Sequence, residues 1–164
     1  MEFCFTPLRE QDIEALTPIM RRAFDEDTRL HLGLPAGGPQ GYDDGSFLRR
    51  YGLHPGATAY CIHAQGRLAG GVILWINETD HCNTLGNLFL DPELQNRGLG
   101  TQVWREIERM FPDTLLWNTE TPIYSHRNHN FYVNKCGFLI VHIDNPRDMQ
   151  EGSFILQKVM RRGH

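Results

Sequence analysis

The 164-residue sequence has no long apolar run and little excess of charge. Its most apolar run, Val72–Ile76, is far shorter than the roughly 18 residues that a membrane span needs, so we expect no membrane partner. Sixteen basic against twenty acidic residues give a formal charge of -4, and the basic pairs are scattered, which disfavours a nucleic-acid partner. The N-terminus has no basic segment followed by an apolar one and does not resemble a secretion signal. We therefore expect a cytoplasmic protein.

Cysteine is scarce, and its spacing indicates no metal or redox site. The four cysteines are Cys4, Cys61, Cys82 and Cys136. They form no CxxC pair, and free thiols are the simplest interpretation, although two disulfides are formally allowed. His126 and His129 lie three residues apart, but no carboxylate or cysteine stands at a companion spacing, and zinc generally has three or four ligands. We predict no metal.

The composition that is present is typical of one globular domain. Apolar residues make up 40% of the chain and charged residues 22%, and the length is close to the roughly 150 residues of a typical domain. We therefore predict a single domain over residues 1–164. Hydrophobic periodicity predicts strands and helices in alternation, which is typical of an α/β protein with a mixed sheet.

Seven strands and four helices are predicted. The strands are Glu2–Leu8, Ala57–Ala64, Arg67–Ile76, Leu85–Leu90, Leu115–Thr121, Phe138–Ile143 and Ser153–Met160. The helices are Gln11–Phe24, Ser46–Tyr51, Gly98–Met110 and Arg127–Lys135. Pro18 predicts a kink or a restart in the first helix, because an interior proline costs about 3 kcal/mol. The segment Asp25–Pro55 reads as a long irregular loop leading into the short second helix.

The most informative segment joins a strand to a helix through the turn around Gly98. The first-turn N–H groups of a helix lack intrahelical partners and, together with the helix dipole, attract anions. Gly98 and Gly100 would allow a phosphate to approach the backbone closely. Two glycines that merely relax the connection are the alternative. The GxGxxG and GxxxxGK[ST] fingerprints of other nucleotide sites are absent.

This turn resembles the acetyl-coenzyme A signature [QR]xxGxG of the GNAT-type N-acetyltransferases, which stands here complete as Gln95-Asn96-Arg97-Gly98-Leu99-Gly100. The element order, the Asp-Pro pair that ends the preceding strand, and the later FYVNKCGF segment extend the resemblance over essentially the whole chain. The resemblance implies an α/β GNAT fold, with a mixed, mostly antiparallel sheet of about seven strands flanked by about four helices. It also implies that the sheet is splayed between strands 4 and 5.

The same resemblance implies how acetyl-coenzyme A would bind. Backbone amides from Gln95 through Thr101 would hold its pyrophosphate, and Asn128 would also contact it. The pantetheine arm would pair with Leu88, Phe89 and Leu90 as though it were an extra strand. The Leu88 N–H would polarise the thioester carbonyl, because a fixed donor stabilises the developing oxyanion.

Tyr132 resembles the family's general acid, which gives a proton to the departing thiolate. It precedes Gly137 by five residues instead of the usual four, so a helix bulge or an altered turn must absorb the extra residue. Ser125 stands where the family commonly has asparagine, leaving Asn128 or Asn130 for any amide role. Core packing of an aromatic side chain is the alternative interpretation of Tyr132.

The general base is less determined. Thr84 fills the position where histone acetyltransferases of this superfamily carry a glutamate, and it takes no proton at neutral pH. Glu120, at the end of the fifth strand, is the first candidate. Glu78, Asp80 and His81 are rivals, each with the alternative of being a solvated loop residue. Water is a further alternative.

The acceptor is expected to be a primary amine of a small molecule or a peptide. Glu120 and an acidic, aromatic rim of Tyr42, Asp43 and Asp44 would attract it, although an aspartate in this loop is also a typical helix N-cap. The leading function is N-acetyl transfer from acetyl-coenzyme A by direct attack in a ternary complex. A non-catalytic acyl-coenzyme A-binding module and a metal-dependent hydrolase are the alternatives. A homodimer through the final strands is implied by analogy.

Overall fold

A computed structural model describes residues 2–95 and 97–160 of the chain. Its strands are β1 (Phe3–Pro7), β2 (Thr58–Ala64), β3 (Arg67–Trp75), β4 (Cys82–Leu90), β5 (Leu116–Pro122), β6 (Leu139–Asp144) and β7 (Ser153–Val159). Its α-helices are α1 (Ile13–Leu32), α2 (Leu99–Met110) and α3 (His126–His129). Two π-helices, Leu48–Gly52 and Asn130–Lys135, and two 3-10 turns, Glu10–Asp12 and Pro92–Leu94, complete the described elements.

The seven strands form one mixed sheet in the order β1-β2-β3-β4-β5-β7-β6. The β1-β2, β2-β3, β5-β7 and β6-β7 pairs are antiparallel, and β4 pairs with β5 in parallel. This is the mixed, mostly antiparallel sheet that the sequence predicts. The parallel ladder has three residue pairs and ends at Thr84 and Asn118, although both strands continue beyond it.

Residue contacts group the described chain into two compact units. The first contains the residues up to Trp75 together with Gly86–Gly100. In its core, α1 places an apolar stripe against the sheet residues Cys61, Ile73 and Phe89. The stripe consists of Ile13, Leu16, Ile19, Met20 and Ala23. This helical spacing is the one that predicts α1.

The sequence prediction for α1 is wrong in length. The structure continues the helix without a restart past Pro18 and on to Leu32, where Gly33 ends it with φ 68°. Its last two turns bury polar side chains: Thr28 donates to the Gly37 carbonyl at 2.8 Å, and Asp25 accepts from the Gly37 amide at 3.1 Å. Hydrophobic periodicity cannot detect a helix face that binds a loop by hydrogen bonds.

The second unit contains Ile76–Leu85 and the described residues from Thr101 onwards. Its core is aromatic: the rings of Trp104 on α2 and Trp117 on β5 lie edge to face with centroids 5.1 Å apart, and Phe138 packs beside them. In the same unit β4 begins three residues earlier than predicted, at Cys82. The reason is again a buried polar residue, since Asn83 donates to Thr114 at 2.7 Å and accepts from the Asn77 amide at 2.8 Å.

A buried carboxylate fixes the chain where β4 ends. Asp91 has a side chain only 2% exposed and accepts from Arg22 at 2.8 Å and Arg67 at 3.3 Å. Its second oxygen caps the 3-10 turn by accepting from the Glu93 amide at 3.1 Å. Burial alone favours the neutral acid, but these hydrogen bonds and the two guanidinium charges hold the pKa of Asp91 below its ordinary value. Asp91 therefore anchors the start of the glycine-containing turn.

No helix among residues 2–95 and 97–160 combines the length and the apolar character that crossing a membrane requires.

The Asp91 interactions predict a pH-dependent contribution to stability. Because the folded-state pKa lies below the unfolded value of about 3.9, the contribution is complete above that pH and is lost as the pH falls through the folded-state pKa. Asp91→Asn keeps the cap but removes the charge. It should lower the free energy of unfolding by about 1–2 kcal/mol at neutral pH, since both arginines are half exposed and screened.

Urea denaturation of both proteins across the acidic range measures this difference. The matched control is Glu26→Gln, which removes an exposed ion pair with Arg29 and should change stability by less than about 0.5 kcal/mol. A deficit of Asp91→Asn that persists unchanged into strong acid would contradict the assignment.

Candidate functional site

The middle of β4 breaks the regular alternation of strand faces. A Cβ built on Gly71 would lie 2.9 Å from the Phe89 ring, and one on Gly86 would lie 2.7 Å from the Trp75 indole nitrogen. Gly71 and Trp75 lie four residues apart on β3 and therefore share one face of that strand. Their contacts place Phe89 and Gly86 of β4 on this same face. Residues three apart on a regular strand face opposite ways, so β4 is irregular between Gly86 and Phe89. Leu88 therefore lies in an irregular stretch, the kind that leaves backbone groups free of a ladder.

The turn between β4 and α2 has the geometry that its glycine predicts. Gly98 adopts φ 76°, and a Cβ built on it would have nothing within 4 Å. The left-handed conformation thus requires glycine, and the exposed peptide leaves room for a ligand. Leu99 is 1% exposed and anchors the first turn of α2 in the core. The first-turn amides of this 12-residue helix supply donors for an anion.

The predicted cofactor residues lie in three places: on β4, around the turn that leads into α2, and on α3. The residues on β4 are Leu88, Phe89 and Leu90, of which Phe89 is buried. In the turn, Arg97 is exposed. Asn128 lies on α3 in the second unit, where its amide donates to the Thr121 hydroxyl at 3.3 Å. The predicted Asn96 lies outside the described residues. The alternative amide, Asn130, accepts from Asn134 at 2.8 Å on the exposed side of its helix.

Tyr132 lies at the point where the parallel ladder of β4 and β5 ends. One residue past the last ladder pair, the Thr119 hydroxyl donates to the Leu85 carbonyl at 2.9 Å. The Tyr132 hydroxyl lies next to the Thr119 side chain. Since the single Thr119 proton is used on Leu85, the Thr119 oxygen can only accept a hydrogen bond from the phenol. Three groups therefore lie next to one another in the order Tyr132, Thr119 and Leu85.

A π-helix absorbs the extra residue between Tyr132 and Gly137. The segment Asn130–Lys135 is π-helical, and the Cys136 amide donates to the Phe131 carbonyl five residues earlier at 2.9 Å. A π turn holds one residue more than an α turn, which is the helix irregularity that the sequence requires. The Phe138 amide then donates to the Tyr132 carbonyl at 2.9 Å.

The environment of Tyr132 keeps its phenol protonated. The residue is 7% exposed, and its ring packs edge to face against Phe138. Burial, followed by the neighbouring Cys136 thiol, raises the pKa of Tyr132 well above its ordinary value. The hydroxyl is therefore a hydrogen-bond donor over the whole physiological pH range.

Glu120 faces the other side of the same strand. Its neighbours Thr119 and Thr121 are buried on the face that carries Tyr132 and Asn128, whereas Glu120 is exposed on the opposite face. The Ser153 hydroxyl donates to the Glu120 carboxylate at 2.5 Å. Adjacent residues of β5 thus lie beside a buried phenol on one face and present an exposed carboxylate on the other.

The rival bases lie at the other end of β5. Glu78, Asp80 and His81 form the turn that precedes β4, and the His81 carbonyl accepts from the Leu115 amide at 2.8 Å. Glu120 follows Leu115 by five residue steps along an extended strand, or roughly 17 Å. The Asp80 carboxylate is also engaged, accepting from the Cys82 amide at 2.8 Å. The three residues therefore lie far from Glu120 along β5.

The histidine pair of α3 has a packing role. A His129 ring nitrogen lies 2.9 Å from the Pro122 carbonyl, and the ring packs 4.6 Å from that of Phe154. Within the described part of the chain, no group of three or more His, Cys, Asp or Glu side chains is placed to hold a metal ion.

The structure places the predicted substrate rim in the loop after α1. Tyr42 is 9% exposed and donates to the Asp25 carboxylate at 2.5 Å. Burial and then this hydrogen bond raise the pKa of Tyr42 to about 12. Tyr42 thus holds the loop onto α1, while Asp43 is exposed. Asp44, the third residue of the predicted rim, accepts from the Ser46 amide at 2.9 Å, just before the Leu48–Gly52 π-helix.

Two site residues are missed by the sequence reasoning. Thr119 and Ser153 have no motif, and their partners Leu85 and Glu120 are 34 and 33 residues away. Strand register decides these contacts, and the sequence carried no local signal for them.

Comparison with known proteins gives the family. The model of the Acetyltransferase (GNAT) family matches residues 18–138. Uncharacterized protein YrkN of Bacillus subtilis (strain 168) is 43% identical over 103 residues, which are 60% of this chain and 56% of YrkN. This chain therefore matches little more than half the length of that relative.

Two solved structures have a similar fold. The PaiA N-acetyltransferase of Thermoplasma acidophilum, in complex with coenzyme A, has a TM-score of 0.75 at 18% identity, covering 98% of this chain and 100% of its own. The ribosomal-protein-S18-alanine N-acetyltransferase of Escherichia coli has a TM-score of 0.74 at 15% identity, covering 99% and 97%. Together with the family match and the parallel β4-β5 pair, they establish that the chain belongs to the GNAT acetyltransferase family and has its fold.

Proposed function

We propose that this protein transfers the acetyl group of acetyl-coenzyme A to a primary amine by direct attack in a ternary complex. The observation that carries the proposal is the arrangement on β5, where the buried Tyr132 phenol lies beside Thr119 on one face and Glu120 presents an exposed carboxylate on the other. Thioester aminolysis needs a neutral amine, a polarised carbonyl and a proton for the thiolate. An acid and a base on opposite faces serve the two substrates separately.

The turn at Gly98 fits the diphosphate of coenzyme A. Its left-handed glycine leaves the peptide uncovered, and the first turn of α2 offers backbone donors from Gly98 to Thr101. Acetyl-coenzyme A supplies the activated acyl group as a thioester. The irregular stretch of β4 would give the Leu88 N–H the freedom to polarise the acyl carbonyl, and Phe89 and Leu90 would pair with the pantetheine arm.

Tyr132 acts as the proton donor to the departing sulfur. Because a buried phenolate is disfavoured, the hydroxyl carries its proton at neutral pH and stabilises developing charge on sulfur by hydrogen bonding. In that step it exchanges its Thr119 partner for the sulfur. Core packing alone does not require a hydroxyl at this position, so Thr119 favours the acid role.

Glu120 acts as the base and the first contact of the acceptor. An exposed carboxylate attracts an ammonium group and accepts its proton. In the first unit, the exposed Asp43 would be a further acidic contact for an ammonium group, on a loop that Tyr42 holds onto α1. The acceptor is a small molecule or a peptide with a primary amine.

A covalent acetyl-cysteine route is disfavoured by the thiols. Burial raises the pKa of both Cys61 and Cys136 to about 12, so both are held in the weakly nucleophilic neutral form. Cys4 and Cys82 are more exposed, and Cys82 lies beside the turn at the far end of β4. Direct attack by the amine is the simpler route.

A homodimer through the final strands belongs to the same proposal. Strand β6 is an outer strand of the sheet, and all six of its residues are exposed, including Leu139 at 68% and Val141 at 51%. An exposed apolar edge strand favours pairing with another strand. A non-catalytic acyl-coenzyme A-binding module is the alternative to this function, and its motivations are the spacing before Gly137, which the π-helix absorbs, and the threonine at position 84.

Coenzyme A binding should depend on glycine at position 98. Gly98→Ala places a side chain in the left-handed region at a cost of about 1–2 kcal/mol, so titration calorimetry should show about 5-fold to 30-fold weaker coenzyme A binding. Gly66→Ala is the matched control, because Gly66 adopts φ 79° with equally open space in the β2-β3 turn. Equal affinities for the wild type and Gly98→Ala would refute the assignment.

Turnover should depend on the Tyr132 hydroxyl and on the Glu120 carboxylate. Tyr132→Phe and Glu120→Gln should each lower kcat about 100-fold or more, with little change in the KM for acetyl-coenzyme A. Thiol release across a panel of primary amines, including polyamines and alanine peptides, measures both. Tyr60→Phe, a tyrosine that stacks on Phe5 in the first unit, is the control and should leave kcat unchanged. Full activity of Tyr132→Phe rules out the acid role.

A further inference from the structure

Ser153 makes a strong contact with the proposed base. It is the first residue of β7 and is only 8% exposed. Its hydroxyl oxygen lies 2.5 Å from the Glu120 Oε1 atom, and a hydroxyl that donates to a carboxylate makes one of the stronger hydrogen bonds in proteins. With one lone pair of Oε1 engaged, Oε2 keeps both of its lone pairs for an incoming ammonium group.

The turn before Ser153 is built to hold this hydroxyl in place. The Gly152 amide donates to the Asp148 carbonyl at 2.7 Å, and the Gly152 carbonyl accepts from the Ile123 amide at 3.0 Å. A Cβ on Gly152 would lie 2.5 Å from the carbonyl oxygens of Asn145 and Asp148 and from the Ile123 side chain. Glycine is therefore required where the turn closes onto the end of β5.

The register of the strands explains why Ser153 reaches Glu120. Pro122 is directly opposite Ser153, and Glu120 is opposite Ile155, so the hydrogen bond is a diagonal one across the β5-β7 pair. The Ile123–Gly152 hydrogen bond fixes both strand ends just beyond this diagonal. The distance from hydroxyl to carboxylate is thus set by backbone contacts on both sides.

We propose that Ser153 is a positioning residue for the reaction, orienting the Glu120 carboxylate so that Oε2 faces the ammonium group of the acceptor. This inference rests on the proposed function. Ser153 itself touches neither substrate, and it acts only through Glu120. Gly152 and Ile123 serve the same purpose one step further away, by holding Ser153.

The proton balance shows which amines need this carboxylate. The amine nitrogen bonds to the thioester carbonyl carbon, while the carbon–sulfur bond breaks and its electron pair passes to sulfur. An ammonium acceptor gives up two protons: the first goes to Glu120 before the attack, and the second leaves as the amide forms. Sulfur gains one proton, through Tyr132, and the other is released to solvent. An amine that is already neutral needs no proton removed before the attack.

The different requirements of protonated and neutral amines allow the role of Ser153 to be tested. Thiol release from acetyl-coenzyme A is measured at neutral pH with ethylamine, which is protonated, and with methoxyamine, which is neutral. Ser153→Ala should lower kcat with ethylamine about 10-fold or more, the rate equivalent of a charge-assisted hydrogen bond. It should leave kcat with methoxyamine and the KM for acetyl-coenzyme A within about 2-fold of the wild-type values. Ser153→Thr, which keeps the hydroxyl, should restore ethylamine turnover.

The matched control is Gln157→Ala. It removes another side-chain hydrogen bond between β7 and β5, from Gln157 to Asn118 at 2.9 Å, and should affect neither amine. Methoxyamine turnover by Ser153→Ala shows in the same assay that the variant is folded. Equal losses with both amines, or a Ser153→Ala variant with wild-type ethylamine turnover, would overturn the inference while leaving the proposed function intact. A wild-type protein that releases no thiol with either amine would overturn the proposed function itself.

Discussion

The hydrogen bond from Thr119 to the Leu85 carbonyl is the constraint on which the catalytic arrangement depends. It joins β4 to β5 at the first residue after their parallel ladder stops, and it leaves the Thr119 oxygen as an acceptor for the Tyr132 phenol. Because side chains alternate along a strand, this contact also determines that the next residue, Glu120, faces away. One strand position therefore separates the proposed proton donor, Tyr132, from the proposed proton acceptor, Glu120.

The supporting structure makes each of these positions specific. The Asn130–Lys135 π-helix sets the height of Tyr132 on its helix, and the closed turn at Gly152 brings Ser153 to Glu120. Both devices are local departures from regular structure, and π-bulges are found frequently at functional sites. In the first unit, the left-handed Gly98 and the buried Asp91 fix the conformation of the turn before α2.

Periodic apolar residues are the part of this fold that the sequence reveals. The α2 residues Leu99, Val103 and Ile107 follow one another at steps of four and are fully buried. The predictions fail where buried polar groups replace apolar ones: Thr28 extends α1 by bonding a loop carbonyl, and Asn83 extends β4 by bonding Thr114. Such contacts are made with residues distant in sequence, so no window of neighbouring residues contains the signal.

The candidate site also contains some residues that the sequence indicates and others that it does not. A motif indicates the turn at Gly98, and counting residues to Gly137 indicates that the helix of Tyr132 must be irregular, but counting cannot say that the irregularity is a π-helix. Thr119 and Ser153 depend on strand register across more than thirty residues, which only the folded sheet defines.

The central claim is that the Tyr132 hydroxyl leaves Thr119 to meet the sulfur of coenzyme A. A crystal structure of the protein with coenzyme A bound tests it most directly. The account predicts the sulfur within hydrogen-bonding distance of the Tyr132 hydroxyl. A bound coenzyme whose sulfur lies elsewhere, with Tyr132 still donating to Thr119, would contradict it.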